Sequence, residues 1–158
     1  MEPAEVLGIE HVDLTVNDFK RSAEFYDKVL PALGFKRLEE DGAGEHDLRW
    51  ANAHLTIAIR PAAPAHAGAG FDRYRVGLHH LALKVRSREQ VDEFHRWLCR
   101  EGLTVLDEPA EYPQYGRGYY ALFFSDPDGM KLEVVHFPWG YWRRVQSDGA
   151  DPRPRYSR

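Results

Sequence analysis

Cysteine is nearly absent. The 158 residues hold one, Cys99, which excludes an intrachain disulfide framework and fits a reducing compartment. No apolar run approaches the ~20 residues that a membrane-spanning helix needs. The N-terminal stretch Met1–Gly8 has neither the basic start nor the apolar core of a signal peptide. An excess of one charge is lacking as well: 21 basic and 25 acidic residues give a formal net charge of −4, with no basic stripe and no acidic tail. Such a balance argues against nucleic acid as a partner. Together these absences lead to a cytoplasmic protein whose partners include neither nucleic acid nor membrane. What the chain does have is 43% hydrophobic content, enough to fill one domain or two small modules sharing a core.

The strongest internal feature is a repeat. Ile9–Val16 (IEHVDLTV) alternates, with Val12, Leu14 and Val16 on one side and His11, Asp13 and Thr15 on the other, the period of a half-buried strand. Asn17 or Asp18 caps a helix that carries Phe25, Tyr26, Val29 and Leu30 and stops at Gly34; Pro31 implies a bend or an early end. Strands follow near Phe35–Glu40, Asp47–Ala51 and His54–Arg60, with Asp41-Gly42-Ala43-Gly44 as a turn. Leu78–Val85 (LHHLALKV) then restarts the pattern at a constant offset, placing His80 on His11, Leu83 on Leu14 and Phe94 on Phe25. A strand near Thr104–Asp107 and a hairpin of Gly118–Ser125 and Met130–His136, turning at Asp126-Pro127-Asp128-Gly129, complete the second copy. The organisation is therefore a first module over 1–60, a Pro/Gly-rich linker over 61–77, a second module over 78–137, and an aromatic-basic segment and tail over 138–158.

The polar strand faces carry the candidate chemistry. His11, His80 and Glu133 all fall on them, and two histidines and one carboxylate on rigid strands make a facial site for Fe(II), Mn(II), Zn(II), Ni(II) or Co(II) with positions left open for substrate oxygens. The plainer alternative, two ordinary half-buried histidines and a solvated glutamate, stays open on pattern alone. Tyr112, Tyr115, Arg117, Tyr119 and Tyr120 crowd one loop and strand; of these Tyr115, Arg117 and Tyr120 are the candidate substrate-binding residues. Trp139, Tyr141 and Trp142 suit a lid or the cover of a sheet edge. His79, one residue before the candidate ligand, should face the helix side as a hydrogen-bonded structural histidine. No acid–base residue emerges from the pattern.

The His11 strand, the helix segment Arg21-Ser22-Ala23-Glu24-Phe25-Tyr26, and Asp126-Pro127-Asp128-Gly129-Met130-Lys131-Leu132-Glu133 together resemble the vicinal oxygen chelate superfamily of glyoxalases, bleomycin-resistance proteins and extradiol dioxygenases. The likeness covers about residues 9–137 and is strongest to small glyoxalase-like bacterial proteins. It implies an α+β fold of two paired βαβββ modules, a curved, cup-shaped mixed sheet with helices outside, in which the modules pair within the chain or across a homodimer. It also implies a divalent metal held by His11, His80 and Glu133, and a small-molecule substrate for a lyase, oxygenase or transferase. Glyoxalase I adds a second glutamate where this chain has Ala58, so the resemblance points away from glyoxalase I activity itself. The rival implication is a metal-free drug-sequestering protein of the bleomycin-resistance kind.

Overall fold

The computed structural model describes residue 4 and residues 6–39 and 47–138. The Gly-rich turn at 41–44 and the aromatic segment from Trp139 onward lie outside these. Among the described residues no helix is long and apolar enough to cross a membrane.

The element order is β1 (His11–Val16), α1 (Phe19–Ala32), β2 (Lys36–Arg37), β3 (Leu48–Ala51) and β4 (Thr56–Pro61), then a 3-10 turn at Pro64–His66. It continues with β5 (Leu81–Lys84), α2 (Arg88–Arg100), β6 (Val105–Glu111), β7 (Tyr120–Ser125) and β8 (Lys131–His136). Two four-stranded mixed sheets result, ordered β1-β4-β3-β2 and β5-β8-β7-β6. The second repeats the first strand for strand, and β1 and β5 run parallel to β4 and β8. The duplication read from the sequence is thus a duplication of topology, and the α+β class with two βαβββ modules is the observed one.

Local chemistry accounts for the elements. The Asp18 carboxylate accepts from the Arg21 N–H and so caps α1, and Ser87 does the same for α2 through Gln90. Pro31 does not end α1. It sits in the last turn, where only one backbone bond is forfeited, and the stop comes from Gly34 at φ +83° with the Phe35 N–H bonded back to the Leu30 carbonyl. Strand β6 runs through Pro109 beyond the predicted Asp107. It can do so because it is an edge strand, where a missing donor leaves no neighbour unpaired. Strand β2 is shorter than predicted, and β5 begins at Leu81, so His80 precedes its strand whereas His11 opens one.

Among the described residues, those up to His79 together with Ser125–Lys131 form one compact unit; His80–Phe124 and the chain from Leu132 form the other. In the first unit Val16, Tyr26, Leu30, Trp50, Ile57 and Ile59 are buried between α1 and the sheet. Tyr26 donates to the Asp126 carboxylate at 2.9 Å, and Asn17 and Arg21 hold Asp128. Burial raises the Tyr26 phenol well above its ordinary range, so it stays a donor. Burial likewise raises the Asp126 carboxyl, against the lowering effect of its hydrogen bonds from the Met130 and Asp128 N–H groups and from Tyr26. In the second unit Val91, Phe94 and Leu98 of α2 pack on the even-numbered face of β7 and β8, represented by Leu122, Phe124 and Val134.

Candidate functional site

Strand alternation gives each unit a second face. In the first unit Leu14 and Val16 face the core, while His11, Asp13 and Thr15 are exposed on the other side of β1. His11 and Asp13 line a cavity of about 300 Å³ together with Glu10, Thr56, Ala58 and Arg60. Arg60 bridges Asp13 and Asp47, each at 3.1 Å, and Arg49 grips Asp47 at 2.9 Å, so this face carries an ion-pair chain. His54, where the predicted fourth strand was expected to begin, lies before β4 and is exposed.

Register settles what stands at the first module's vacant carboxylate position. Ala82 pairs with Glu133 across β5 and β8, and Asp13 pairs with Ala58 across β1 and β4. Ala58 is therefore the topological counterpart of Glu133. It is buried and has no side chain to donate.

The second unit assembles two of the predicted residues. Glu133 is 1% exposed. One of its oxygens, Oε2, stands 3.0 Å from His80 Nε2; the other, Oε1, accepts from the Tyr119 hydroxyl at 2.5 Å. Around them lie Ala121, Phe123, Val135 and Phe137, with Tyr112 packed against this cluster. A buried carboxylate must be hydrogen-bonded or paired, and here both oxygens are. Tyr119→Phe keeps the ring and removes one donor, so it should lower stability by about 1–3 kcal/mol in urea unfolding.

The tyrosines sort by strand parity. The odd-numbered Tyr119 joins Glu133, while the even-numbered Tyr120 points to the helix side. There Tyr120 donates to Asp92 of α2 at 2.8 Å and lies under the Arg88 guanidinium. Burial and that bond raise its phenol above the ordinary value. Tyr115 stacks on Tyr112 with 17° between the rings and is 45% exposed; Arg117 is exposed in the turn that follows. Gly116 allows this loop to close, since a Cβ there would stand 2.7 Å from the Phe137 ring. The residue missed by sequence reasoning is Tyr119, and the signal for it was present. In a hairpin closed by the Asp126 N–H to Met130 carbonyl bond, odd-numbered positions of both strands share one face. His79 is exposed and edge-on to Tyr74; β5 starts only at Leu81, so its alternation does not reach back to this residue.

Among the described residues no three His, Cys, Asp or Glu side chains gather closely enough to hold a metal ion. His80 and Glu133 meet within the second unit, and His11 belongs to the first. The pair nonetheless fits an ion by its donor chemistry. An imidazole nitrogen and a carboxylate oxygen are both donors that such ions accept, and here they stand at hydrogen-bonding distance, 3.0 Å apart.

Residues 8–134 match the family described as Glyoxalase/Bleomycin resistance protein/Dioxygenase superfamily. The uncharacterised Bacillus subtilis (strain 168) protein YqjT is 32% identical over 127 residues, which are 80% of this chain and 97% of that one. A 2-epi-5-epi-valiolone epimerase from an Actinomyces species is 29% identical over 85% of this chain and 81% of its own. Among solved structures, a glyoxylase/bleomycin resistance protein/dioxygenase domain from Frankia sp. EAN1pec matches with a TM-score of 0.64 and 29% identity, covering 84% of this chain and 98% of that one.

Proposed function

Because the chain belongs to the Glyoxalase/Bleomycin resistance protein/Dioxygenase superfamily, and its second unit sets a buried carboxylate against a histidine, we propose that it is a divalent-metal-dependent enzyme. Its proposed substrate is a small molecule that chelates through two oxygens. His11, His80 and Glu133 are the proposed ligands, a nitrogen-and-oxygen set that suits Fe(II), Mn(II), Zn(II), Ni(II) or Co(II). The observation that carries this reading is the 3.0 Å pairing of His80 with Glu133 at a carboxylate 1% exposed. Keeping a charged carboxylate out of water is costly; Tyr119 and His80 each offset part of that cost, and a bound cation would offset more.

Held by these ligands, a divalent ion would supply Lewis-acid polarisation of substrate oxygens. The chain's own residues do the rest. Tyr119 fixes one oxygen of Glu133, and Phe123, Val135 and Phe137 exclude water around it. Tyr115, stacked on Tyr112, offers a flat ring to a planar part of the substrate. Ala58 at the second carboxylate position speaks against glyoxalase I chemistry. That one relative is named an epimerase supports an enzymatic role over a purely binding one.

A metal-free binding protein is the second reading, favoured by an aromatic row in which Tyr115, Tyr112, Phe123 and His80 follow one another at 5.3–6.3 Å between ring centroids. A thermal-shift panel run with Mn(II), Co(II), Ni(II) and Zn(II) beside aromatic dyes and antibiotics separates the two. A ligand at a hundred times its Kd stabilises by about 2.7 kcal/mol. The enzyme reading expects such a shift from a metal, one that Glu133→Gln abolishes. Shifts from the organic panel alone would replace it with the binding reading.

A further inference from the structure

Ligand cavities are lined chiefly by apolar and aromatic side chains. The cavity of about 300 Å³ in the first unit is lined otherwise: among the described residues, Leu38 and Ala58 are the apolar members of a lining that also holds two acids, two arginines, a threonine and His11. The register of the sheet explains its shape. Thr56 stands beside His11, and Ala58 stands between Asp13 on β1 and Arg49 on β3, with these side chains on one face. Ala58 is short and 1% exposed, so it makes a floor that the longer side chains around it overtop.

The charges in this lining are balanced and already partnered. Arg60 Nε meets Asp13 Oδ2 and its Nη2 meets Asp47 Oδ2, each at 3.1 Å, while Arg49 holds Asp47 through bonds of 2.9 and 3.2 Å. A carboxylate or phosphate on a ligand would meet Glu10 and Asp13 and compete with Asp47 for the guanidinium groups; an ammonium group would meet both arginines. A hydroxyl avoids both conflicts, because it donates and accepts at once. The ion pairs leave Oδ1 of Asp13 as an acceptor and Nη1 of Arg60 as a donor, and the Thr56 hydroxyl serves as either.

From this lining we propose that the first unit's cavity binds a small uncharged polyol, a molecule of sugar size with adjacent hydroxyl groups. Ligand cavities run from roughly 300 to 1,000 Å³, so this one suits a ligand of about one ring. The inference deepens the metal-dependent reading above by naming a substrate class, and it rests on that reading only in making the polyol a substrate; the binding itself lies within one unit and needs no ion. The competing account is that the ion pairs serve only to fasten β1 to β4.

Isothermal titration and saturation-transfer NMR of the apo protein with myo-inositol, D-glucose and D-mannitol, beside sodium phosphate and sodium acetate, discriminate between these accounts. The wild type is compared with Asp13→Ala, Thr56→Val and Ala58→Leu, and circular dichroism confirms that each is folded. We expect saturable binding of at least one of the three polyols and of neither anion. Asp13→Ala should weaken that binding at least about tenfold and Thr56→Val about threefold or more, from the loss of a charge-assisted and a neutral hydrogen bond. Ala58→Leu, which fills the floor, should abolish it; if that variant does not fold, the other two decide. No saturable polyol binding, binding of the anions instead, or an affinity unchanged in both Asp13→Ala and Thr56→Val would overturn the proposal. Co(II) uptake by the same preparation separates this inference from the reading above. Polyol binding without Co(II) uptake ends the metal-dependent reading and leaves the cavity a polyol site, whereas Co(II) uptake without polyol binding sinks this inference alone.

Discussion

Glu133→Gln should abolish metal uptake while leaving the protein at least as stable as wild type. Glutamine keeps the volume of the side chain and one carbonyl acceptor for the Tyr119 hydroxyl, whose bond to Oε1 is the shortest in this cluster. It removes the negative charge that a 1% exposed position must otherwise keep out of water. Partners outside the ligand shell typically change metal affinity by about 10–100-fold, so loss of a charged ligand should exceed about 100-fold. In the metal-free protein the same change replaces a buried charge with a neutral amide, and swaps of this kind are often neutral or stabilising. Isothermal titration with Zn(II) or Co(II), paired with urea unfolding of the apo protein, reads both effects. Retained metal affinity would remove Glu133 from the site. Lost stability together with intact binding would make it a structural residue.

The second large effect is expected in the first unit's core. Trp50 is fully buried, its ring centroid is 6.1 Å from that of Tyr26, and its indole N–H donates to the Asp27 carboxylate at 3.0 Å. Trp50→Ala leaves a cavity beneath α1 and an unmatched acceptor, and truncations of this size cost about 3–5 kcal/mol. A domain's whole stability is about 5–15 kcal/mol, so the variant should be partly unfolded well below the wild-type melting temperature. Trp50→Phe keeps most of the volume and should recover most of the loss. The shortfall should be about 1 kcal/mol for the missing indole hydrogen bond. A melting temperature for Trp50→Ala within a few degrees of wild type would show that α1 does not depend on this residue.

Much of this structure was legible in the chain because it is written in periods that burial enforces. The alternation of Ile9–Val16 predicted which side of β1 is packed, and Leu14 and Val16 are buried as expected. The Phe25 and Phe94 correspondence predicted two equivalent helices, and both residues lie in the buried faces of α1 and α2. Element ends were less legible, because they depend on neighbours. Pro109 lies inside a strand only because β6 is at an edge, and Pro31 lies inside a helix only because Gly34 closes the turn after it.

The candidate site was legible as a set of residue types on polar faces, and not as contacts. Tyr115, Arg117 and Tyr120 were chosen by crowding in sequence. Strand parity instead selects Tyr119, one residue away and on the opposite face from Tyr120. Ala58 was visible as a missing carboxylate, but its pairing with Asp13 across the sheet was not, because parallel register between β1 and β4 is set by contacts some 45 residues apart in the chain.

The central claim is that this chain holds a divalent metal through His80 and Glu133. It is tested most directly by elemental analysis of protein purified without a chelator or a histidine tag, repeated after reconstitution with Fe(II), Mn(II), Zn(II), Ni(II) or Co(II). The account predicts close to one ion per chain in the wild type and none in His80→Ala. A wild-type protein that takes up no ion from any of the five, or a His80→Ala variant that binds as well as wild type, would contradict it.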